Sequence, residues 1–217
     1  MKPQLSLDLL LEEAGAFAQL ESDRSDATIY GVTDGKAIGT YFEHKFQDCL
    51  TERYSYERGS SASGIDFPSL RVDMKVTRIT QPQSSCPFRA ARQKVYGLGY
   101  SLLVFVYEKV DDSATQTGRL NIVNTIFVDE RRTADFQTTV GIRQILENDG
   151  NIDDLVAFME DRRLPVDDIQ AHKLAEEILQ NSPKIGYLTI SNALQWRLQY
   201  RRVIEKAGEI DGIVRIR

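Results

Sequence analysis

Two carboxylates and a lysine stand close together in the stretch from residue 64 to residue 77. Asp73 and Lys75 lie two positions apart in an alternating run of apolar and polar residues, a pattern that predicts a half-buried strand. Side chains at this spacing share one face of a strand, about 7 Å apart. Pro68-Ser69 predicts a turn just upstream, so that Asp66 folds back beside Asp73. Such a hairpin can bind a divalent cation and hold a water molecule next to it.

Carboxylates beside a lysine are the groups that metal-assisted hydrolysis of a phosphodiester requires. The reaction needs a cation that neutralises the developing charge and an activated water molecule in line with the leaving group. Oxygen ligands with room for water suit Mg²⁺. A neighbouring lysine orients that water or, if its pKa is lowered, deprotonates it. An Asp-x-Lys pair is also common on the solvent face of a strand, so the surrounding elements must distinguish the two interpretations.

The elements on either side of the hairpin are suited to positioning a site. Apolar residues at spacings of four, four and three predict a helix from residue 36 to residue 50. Glu43 lies at the edge of its apolar stripe, where it either reaches a site between helix and sheet or is a solvated helix carboxylate. The continuous apolar run from Ser101 to Val106 predicts a strand that is buried on both faces and central in a sheet.

Further periodic segments complete the predicted fold. They indicate helices at residues 5–21 and 132–148 and a strand at residues 119–128. Strands flanked by helices on both sides give an α/β (α+β) class, with a mixed central β-sheet between helices. We predict a catalytic core over residues 1–150 that contains the hairpin 64–77.

A change of composition predicts a second unit over residues 151–217. Its pattern indicates two helices, a short strand at residues 187–190, a third helix from about Ser191 to Ala207, and a last strand at residues 213–216. This is the order of elements in a winged helix-turn-helix. We therefore predict a helical, winged-helix-like subdomain that binds DNA. Packing of the subdomain on the sheet, or use as a dimer interface, is the alternative.

Several segments carry side chains suited to nucleic-acid contacts. Amide and hydroxyl side chains in the loop at residues 81–89 suit base edges in a groove, although they also suit an ordinary polar loop. Basic residues follow in a short helix that ends at Tyr96, and basic and aromatic residues fill the predicted third helix of the second unit. The predicted DNA-binding residues are Gln81, Gln83, Ser84, Ser85, Arg89, Arg92, Trp196, Arg197, Tyr200 and Arg201.

Composition excludes several classes of protein. A chain of 217 residues suits one domain, or one with a small appendage. Its net charge of −5 argues mildly against a nucleic-acid binder, but residues 185–217 carry six Lys or Arg against three Asp or Glu. No signal peptide or membrane span is predicted, and the two cysteines form neither a zinc pattern nor a disulfide framework, which favours a reducing cytoplasm. The two histidines have no ligand partner at helical spacing, and no phosphate-binding glycine loop occurs.

One order of features in the chain resembles a known nuclease family. Glu43 on a predicted helix is followed by Gly64-Ile65-Asp66, by Val72-Asp73-Met74-Lys75-Val76-Thr77, and then by a buried strand. Over roughly residues 36–108 this order resembles the PD-(D/E)xK nuclease superfamily, and type II restriction endonucleases in particular. Ile65 stands in place of the proline of the motif.

The resemblance implies a restriction-endonuclease-like core and a role for each site residue. Asp66 matches the first acidic residue of the motif, Asp73 the second, and Lys75 the lysine. Glu43 matches the helix glutamate that some members add. The implied catalytic residues are these four, and the implied ligands of Mg²⁺ are Asp66, Asp73 and Glu43.

The resemblance also implies an activity. It predicts a Mg²⁺-dependent endonuclease that cuts double-stranded DNA at a specific sequence, acts as a homodimer in a prokaryotic cytoplasm, and leaves 5′-phosphate ends. Two alternatives stay open at this point. One is a repair or junction-resolving nuclease that recognises DNA shape, and the other is a non-catalytic winged-helix regulator in which the Asp-Asp-Lys hairpin has no catalytic role.

Overall fold

The fold is that of a computed structural model, which describes residues 2–59, 64–85, 90–191 and 197–217. The helices are α1 (Leu7–Ser22), α2 (Gly35–Arg53), α3 (Arg92–Tyr96), α4 (Phe136–Glu147), α5 (Ile152–Asp161), α6 (Asp168–Gln180) and α7 (Arg201–Lys206). The strands are β1 (Ser25–Asp26), β2 (Val72–Arg78), β3 (Gln83–Ser85), β4 (Ser101–Asp112), β5 (Thr117–Val128), β6 (Thr189–Ile190), β7 (Arg197–Gln199) and β8 (Ile213–Arg215).

A five-stranded mixed sheet forms the centre of the protein. Its strand order is β1-β5-β4-β2, and β8 also pairs with β5. The strand β2 runs parallel to β4, whereas β4 and β5 form a long antiparallel pair. Residues 102–107 of β4 are all buried, as expected for a strand covered on both faces. The mixed central sheet with flanking helices confirms the predicted fold class.

The first face of the sheet packs against α1 and α2. Phe105 of β4 meets Phe42 and Phe46 of α2 with ring centroids 4.8 Å and 5.4 Å apart. Phe42 and Phe46 are four residues apart and so lie on one side of α2, which places the apolar stripe of this helix against the sheet. The cap of this helix is Asp34, whose side chain accepts a hydrogen bond from the backbone N–H of Lys36. The helix that carries Glu43 is therefore fixed on the sheet by its neighbouring residues.

The second face of the sheet packs against the C-terminal part of the chain. Leu102, Val104 and Val106 of β4 lie in one buried cluster with residues of β6, β7 and α7. A separate buried cluster joins α3, α4, α5 and α6. Among the described residues, no helix is both long and apolar enough to cross a membrane.

The C-terminal part differs from the predicted winged-helix order. The prediction of one helix from Ser191 to Ala207 is wrong, because residues 197–199 form the strand β7 and only Arg201–Lys206 is helical. Residues 192–196 lie outside the described part of the chain. The strands β6 and β7 join β3 in a three-stranded sheet, whereas β8 pairs with β5 of the central sheet. The C-terminal strands β6, β7 and β8 are thus divided between two sheets and do not form the wing of a winged helix. The division of the chain near residue 150 stays a prediction.

Candidate active site

The strand β2 brings Asp73 and Lys75 to one face, as the alternation predicts. Val72 and Met74 point to the other face and belong to the buried cluster beneath α1 and α2. Asp73 is only 3% exposed. Its Oδ2 atom lies 2.6 Å from Nζ of Lys75. This contact is an ion pair without hydrogen-bond geometry, and Oδ2 has no hydrogen-bond partner among the described residues.

A tight turn brings Asp66 back to β2. Residues Pro68–Leu70 form a single 3₁₀ turn, which ends at Arg71 in the left-handed region with a φ of 53°. The backbone N–H of Phe67 then donates to the carbonyl of Val72 at 3.0 Å, which closes the hairpin. As a result, Oδ2 of Asp66 accepts a 2.8 Å hydrogen bond from the backbone N–H of Met74. The structure therefore brings Asp66 beside Asp73, as the turn signal predicts.

Glu43 approaches the hairpin from α2. Burial and then the negative charge of Asp66 raise its pKa to about 7. Lys75 and Asp73 also act on this carboxyl group, the lysine lowering its pKa and the aspartate raising it. Glu43 is therefore part of the same electrostatic cluster and is not a solvated helix carboxylate.

The environment of Asp73 and Lys75 shifts the pKa of both groups. Burial raises the pKa of Asp73 to about 7, in spite of the opposing attraction of Lys75. Burial lowers the pKa of Lys75, but the negative charges of Asp73, Asp66 and Glu43 outweigh it and raise that pKa above its ordinary value. The site thus concentrates acidic groups that repel one another around a single ammonium group.

Gln47 is a site residue that the sequence interpretation missed. It lies one turn after Glu43 on α2 and is buried. Its Nε2 atom is 3.5 Å from Oδ1 of Asp66, and its Oε1 atom accepts a 2.8 Å hydrogen bond from Nε of Arg58. Gln47 therefore links the helix to the hairpin. The spacing of four residues from Glu43 is the signal that could have identified it.

The acidic groups line a cleft of about 370 Å³, the carboxylate cleft, together with Gln47 and Lys75. The donor atoms in this cleft are those that suit a divalent cation. Oxygen ligands from carboxylates are what Mg²⁺ and similar hard cations bind, and Oδ2 of Asp73 is a buried oxygen that lacks a hydrogen bond. In the described chain, no three Asp, Glu, His or Cys side chains converge into a ready-made metal site. The donor set fits a hard cation that would draw the carboxylates together on binding.

A second cleft extends from this site to the three-stranded sheet. This long cleft has a volume of about 580 Å³ and is lined by Glu43 and Lys75 at one end. Five of the predicted DNA-binding residues line it as well, namely Gln81, Gln83, Ser84, Ser85 and Arg197. A neighbouring cleft of about 380 Å³, the small-sheet cleft, shares Gln81 and Gln83 and adds Arg201. The structure thus brings six predicted DNA contacts to surfaces that continue from the carboxylates.

The remaining predicted DNA contacts are placed elsewhere. Arg92 forms an ion pair with Glu177 of α6, in which Nε of Arg92 lies 3.0 Å and 3.1 Å from the two carboxylate oxygens of Glu177. Arg92 lines neither the long cleft nor the small-sheet cleft. Tyr200 is fully buried, and its hydroxyl oxygen lies 2.5 Å from that of Ser84. Because its ring belongs to the core, Tyr200 has no exposed surface in this structure with which to contact DNA. Arg89 and Trp196 lie outside the described residues.

Comparison with known proteins places this chain in a family. The family of the type II restriction enzyme NspV matches residues 4–215. The chain is 61% identical over 212 residues to the type II restriction enzyme NspV of Nostoc sp. (strain ATCC 29411 / PCC 7524), which covers 98% of this chain and 96% of that protein. No solved structure matches the chain. The predicted resemblance to type II restriction endonucleases is confirmed, and the chain belongs to the NspV family of type II restriction enzymes.

Proposed function

We propose that this protein is a type II restriction endonuclease that hydrolyses both strands of duplex DNA at a specific sequence with the help of Mg²⁺. The observation that carries the proposal is Asp73, a buried carboxylate with an unbonded oxygen 2.6 Å from the ammonium group of Lys75. Retaining a poorly solvated carboxylate is costly for stability, and such groups concentrate at functional sites. Membership of a restriction-enzyme family supports this function over a repair nuclease or a non-catalytic regulator.

We assign the cation to the carboxylate cleft. Asp66 and Asp73 are the primary ligands in this proposal, because the hairpin holds them side by side. Glu43 is the third, because its pKa is raised by the same cluster of negative charge. A bound divalent cation neutralises negative charge on a phosphate group and lowers the pKa of a coordinated water molecule.

Lys75 has a different role in this proposal. Its raised pKa keeps the side chain as an ammonium group at neutral pH. An ammonium group can donate hydrogen bonds to a phosphate oxygen or to the attacking water molecule, and it stabilises the charge that develops in the transition state. Lys75 lines both the carboxylate cleft and the long cleft, and so lies where the reacting phosphate of a bound strand is expected.

Cutting both strands requires two active sites or two binding events. Asp66, Asp73 and Lys75 line one cleft together, which supplies one candidate active site per chain. We therefore propose a homodimer in which each protomer cuts one strand and leaves a 5′-phosphate. Mass measurement by light scattering, with and without a cleavable duplex, tests this part of the proposal.

Digestion of plasmid DNA of known sequence is the primary test. With Mg²⁺, we expect discrete fragments whose ends map to one sequence and ligate without prior phosphorylation. With EDTA, we expect no cleavage. Lys75→Met and Asp73→Asn should abolish cleavage while the proteins still fold and bind duplex DNA. Random degradation, or unchanged cleavage by Asp73→Asn, would contradict the proposal.

A further inference from the structure

The three-stranded sheet carries a row of polar side chains that the mechanism of cleavage does not use. Gln83 of β3 pairs with Gln199 of β7, and Gln199 also pairs with Thr189 of β6. Residues that pair directly across antiparallel strands project from the same face. The three side chains therefore form one row across the sheet, with Gln199 at the centre. Arg197 and Ser85 are paired two positions along and lie on this same face.

The opposite face of this sheet is fixed by the core. Leu198 and Ile190 pair there and are almost completely buried against the second face of the central sheet. Ser84, which pairs with Leu198, lies within hydrogen-bond distance of the buried hydroxyl of Tyr200. Because the face that carries Leu198, Ile190 and Ser84 packs against the core, the polar row on the other face must point outward.

The amide groups of the row are free to meet a ligand. Gln199 is exposed, and Gln83 is partly exposed. In the part of the chain that the structure describes, neither side-chain amide forms a hydrogen bond, although each offers two N–H donors and one acceptor oxygen. All three residues of the row line the small-sheet cleft, where the positive charges of Arg201 and Arg202 outnumber the negative charge of Glu205. Uncharged donors and acceptors beside arginines suit DNA bases flanked by phosphates.

The row is tied rigidly to the catalytic strand. Thr77 lies two residues after Lys75 on β2, and its buried Oγ1 accepts a 2.9 Å hydrogen bond from the backbone N–H of Gln83. The backbone N–H of Tyr200 donates to the carbonyl of Pro82 at 2.8 Å, which binds β7 to the same turn. A DNA strand contacting the row would therefore be held at a fixed distance from Lys75 and the carboxylates.

We propose that this row, with Gln199 as its central specificity-determining residue, reads base edges in the major groove of the substrate. The major groove admits a β-ribbon, and an amide side chain pairs through two hydrogen bonds with N6 and N7 of adenine. Gln199 and Gln83 are thus assigned to adenines of the recognition sequence, and Thr189 supplies a hydroxyl and a methyl group beside them. The assignment rests on the proposed endonuclease function.

The first test compares alanine variants on a defined duplex. After the wild-type site is mapped, Gln199→Ala and Gln83→Ala are assayed on that duplex and on duplexes with each single base-pair change. Each variant should cleave the wild-type site roughly 10- to 100-fold more slowly than the wild-type enzyme does. At one base pair of the site, the variant should also discriminate less strongly against the three alternative base pairs. The matched control is Gln170→Ala, an exposed glutamine of α6 that lines none of the three clefts. It should cleave like the wild type.

The second test removes the contacted atom from the DNA. Replacing each adenine of the site in turn by 7-deazaadenine deletes N7, and one such duplex should slow the wild-type enzyme. The same duplex should cause no further loss with Gln199→Ala, because the partner amide is already absent. The inference would be overturned if both variants kept the cleavage rate and specificity of the wild type, or if the mapped site contained no adenine. It would also be overturned if the variants differed from the wild type only in oligomeric mass. Failure of the wild type to cut at a fixed sequence would instead overturn the proposed function.

Discussion

The backbone N–H of Met74 donates a 2.8 Å hydrogen bond to Oδ2 of Asp66, so β2 itself holds the carboxylate that precedes the turn. The carbonyl of Asp66 is fixed as well, because it accepts a 2.9 Å hydrogen bond from the backbone N–H of Gly59. These two bonds position Asp66 from both sides. They also explain how a short hairpin brings this carboxylate to Asp73 although the motif lacks its proline.

The close approach of Gly59 to the hairpin gives the first prediction. A Cβ atom at residue 59 would lie 1.9 Å from the carbonyl oxygen of Ile65, a contact that backbone atoms cannot tolerate. Gly59→Ala should therefore displace Asp66 and lower the cleavage rate by about 100-fold, the size of effect that a 1 Å displacement of a reacting group causes. Gly15→Ala on α1 is the control, because a Cβ atom there meets only a side-chain methyl group of Ile216 at 3.1 Å and residue 15 lines none of the three clefts. Equal rates for the two variants would contradict the role given to Asp66.

The burial of Asp73 gives the second prediction. Asp73→Asn keeps the shape of the side chain but removes a charge that burial disfavours. In metal-free protein near neutral pH, the free energy of unfolding of the variant should be about 1–3 kcal/mol higher than that of the wild type, and in Mg²⁺ the variant should show no detectable cleavage. Urea unfolding and single-turnover cleavage measure the two effects. A structural role for Asp73 would instead make the variant less stable.

The raised pKa values predict an unusual dependence of stability on pH. The pKa of Asp73 is raised from 3.8 and that of Glu43 from 4.5, both to about 7. Between the lower and the higher values the folded protein binds more protons than the unfolded chain, so these groups reduce stability as pH rises towards 7. At about 1.4 kcal/mol per pKa unit, the two shifts together correspond to a loss of several kcal/mol, which levels off above about pH 8.

The difference in the free energy of unfolding between the wild type and Asp73→Asn separates the contribution of Asp73 from that of the other carboxylates. In EDTA, the stability advantage of the variant should be small near pH 4 and largest near about pH 8. Added Mg²⁺ should raise the stability of the wild type at the higher pH, because a ligand of the folded state stabilises it. An advantage that does not change with pH would contradict the assigned pKa shift.

The position of Arg197 gives a prediction about DNA binding. It lies on β7 opposite Ser85, lines the long cleft with Lys75, and forms no ion pair within the described residues. In a cleavage-inactive Asp73→Asn background, Arg197→Ala should weaken binding to specific and unrelated duplexes alike. The plot of log affinity against log salt concentration should become less steep, with the magnitude of its slope reduced by about one.

Arg92→Ala is the matched control for this measurement. Its guanidinium group is engaged by Glu177 and lies outside both clefts. The affinity and the salt slope of this variant should equal those of the background protein. Equal slopes for Arg197→Ala and Arg92→Ala would place the DNA path away from the long cleft.

The face on which each candidate catalytic residue lies could be predicted from the sequence. Alternation along β2 put Asp73 and Lys75 on one side and Met74 in the core, because strand side chains alternate in any context. Helical spacing likewise placed Glu43 at the edge of the buried stripe of α2. These patterns are local, so they could be interpreted without knowledge of distant contacts.

Which polar residues lie beside β2 depends on strand pairing between distant parts of the chain. Arg197–Gln199 follows a pattern that predicted a helix, yet pairing with β3 makes it a strand. The same pairing buries Tyr200 against Ser84, a residue 116 positions away, and turns Gln199 outward beside Gln83. Strand pairing over such a separation depends on how the core closes, and no local propensity encodes it. The hairpin that carries Asp66, Asp73 and Lys75 was therefore predictable, whereas the surface proposed to contact DNA bases was not.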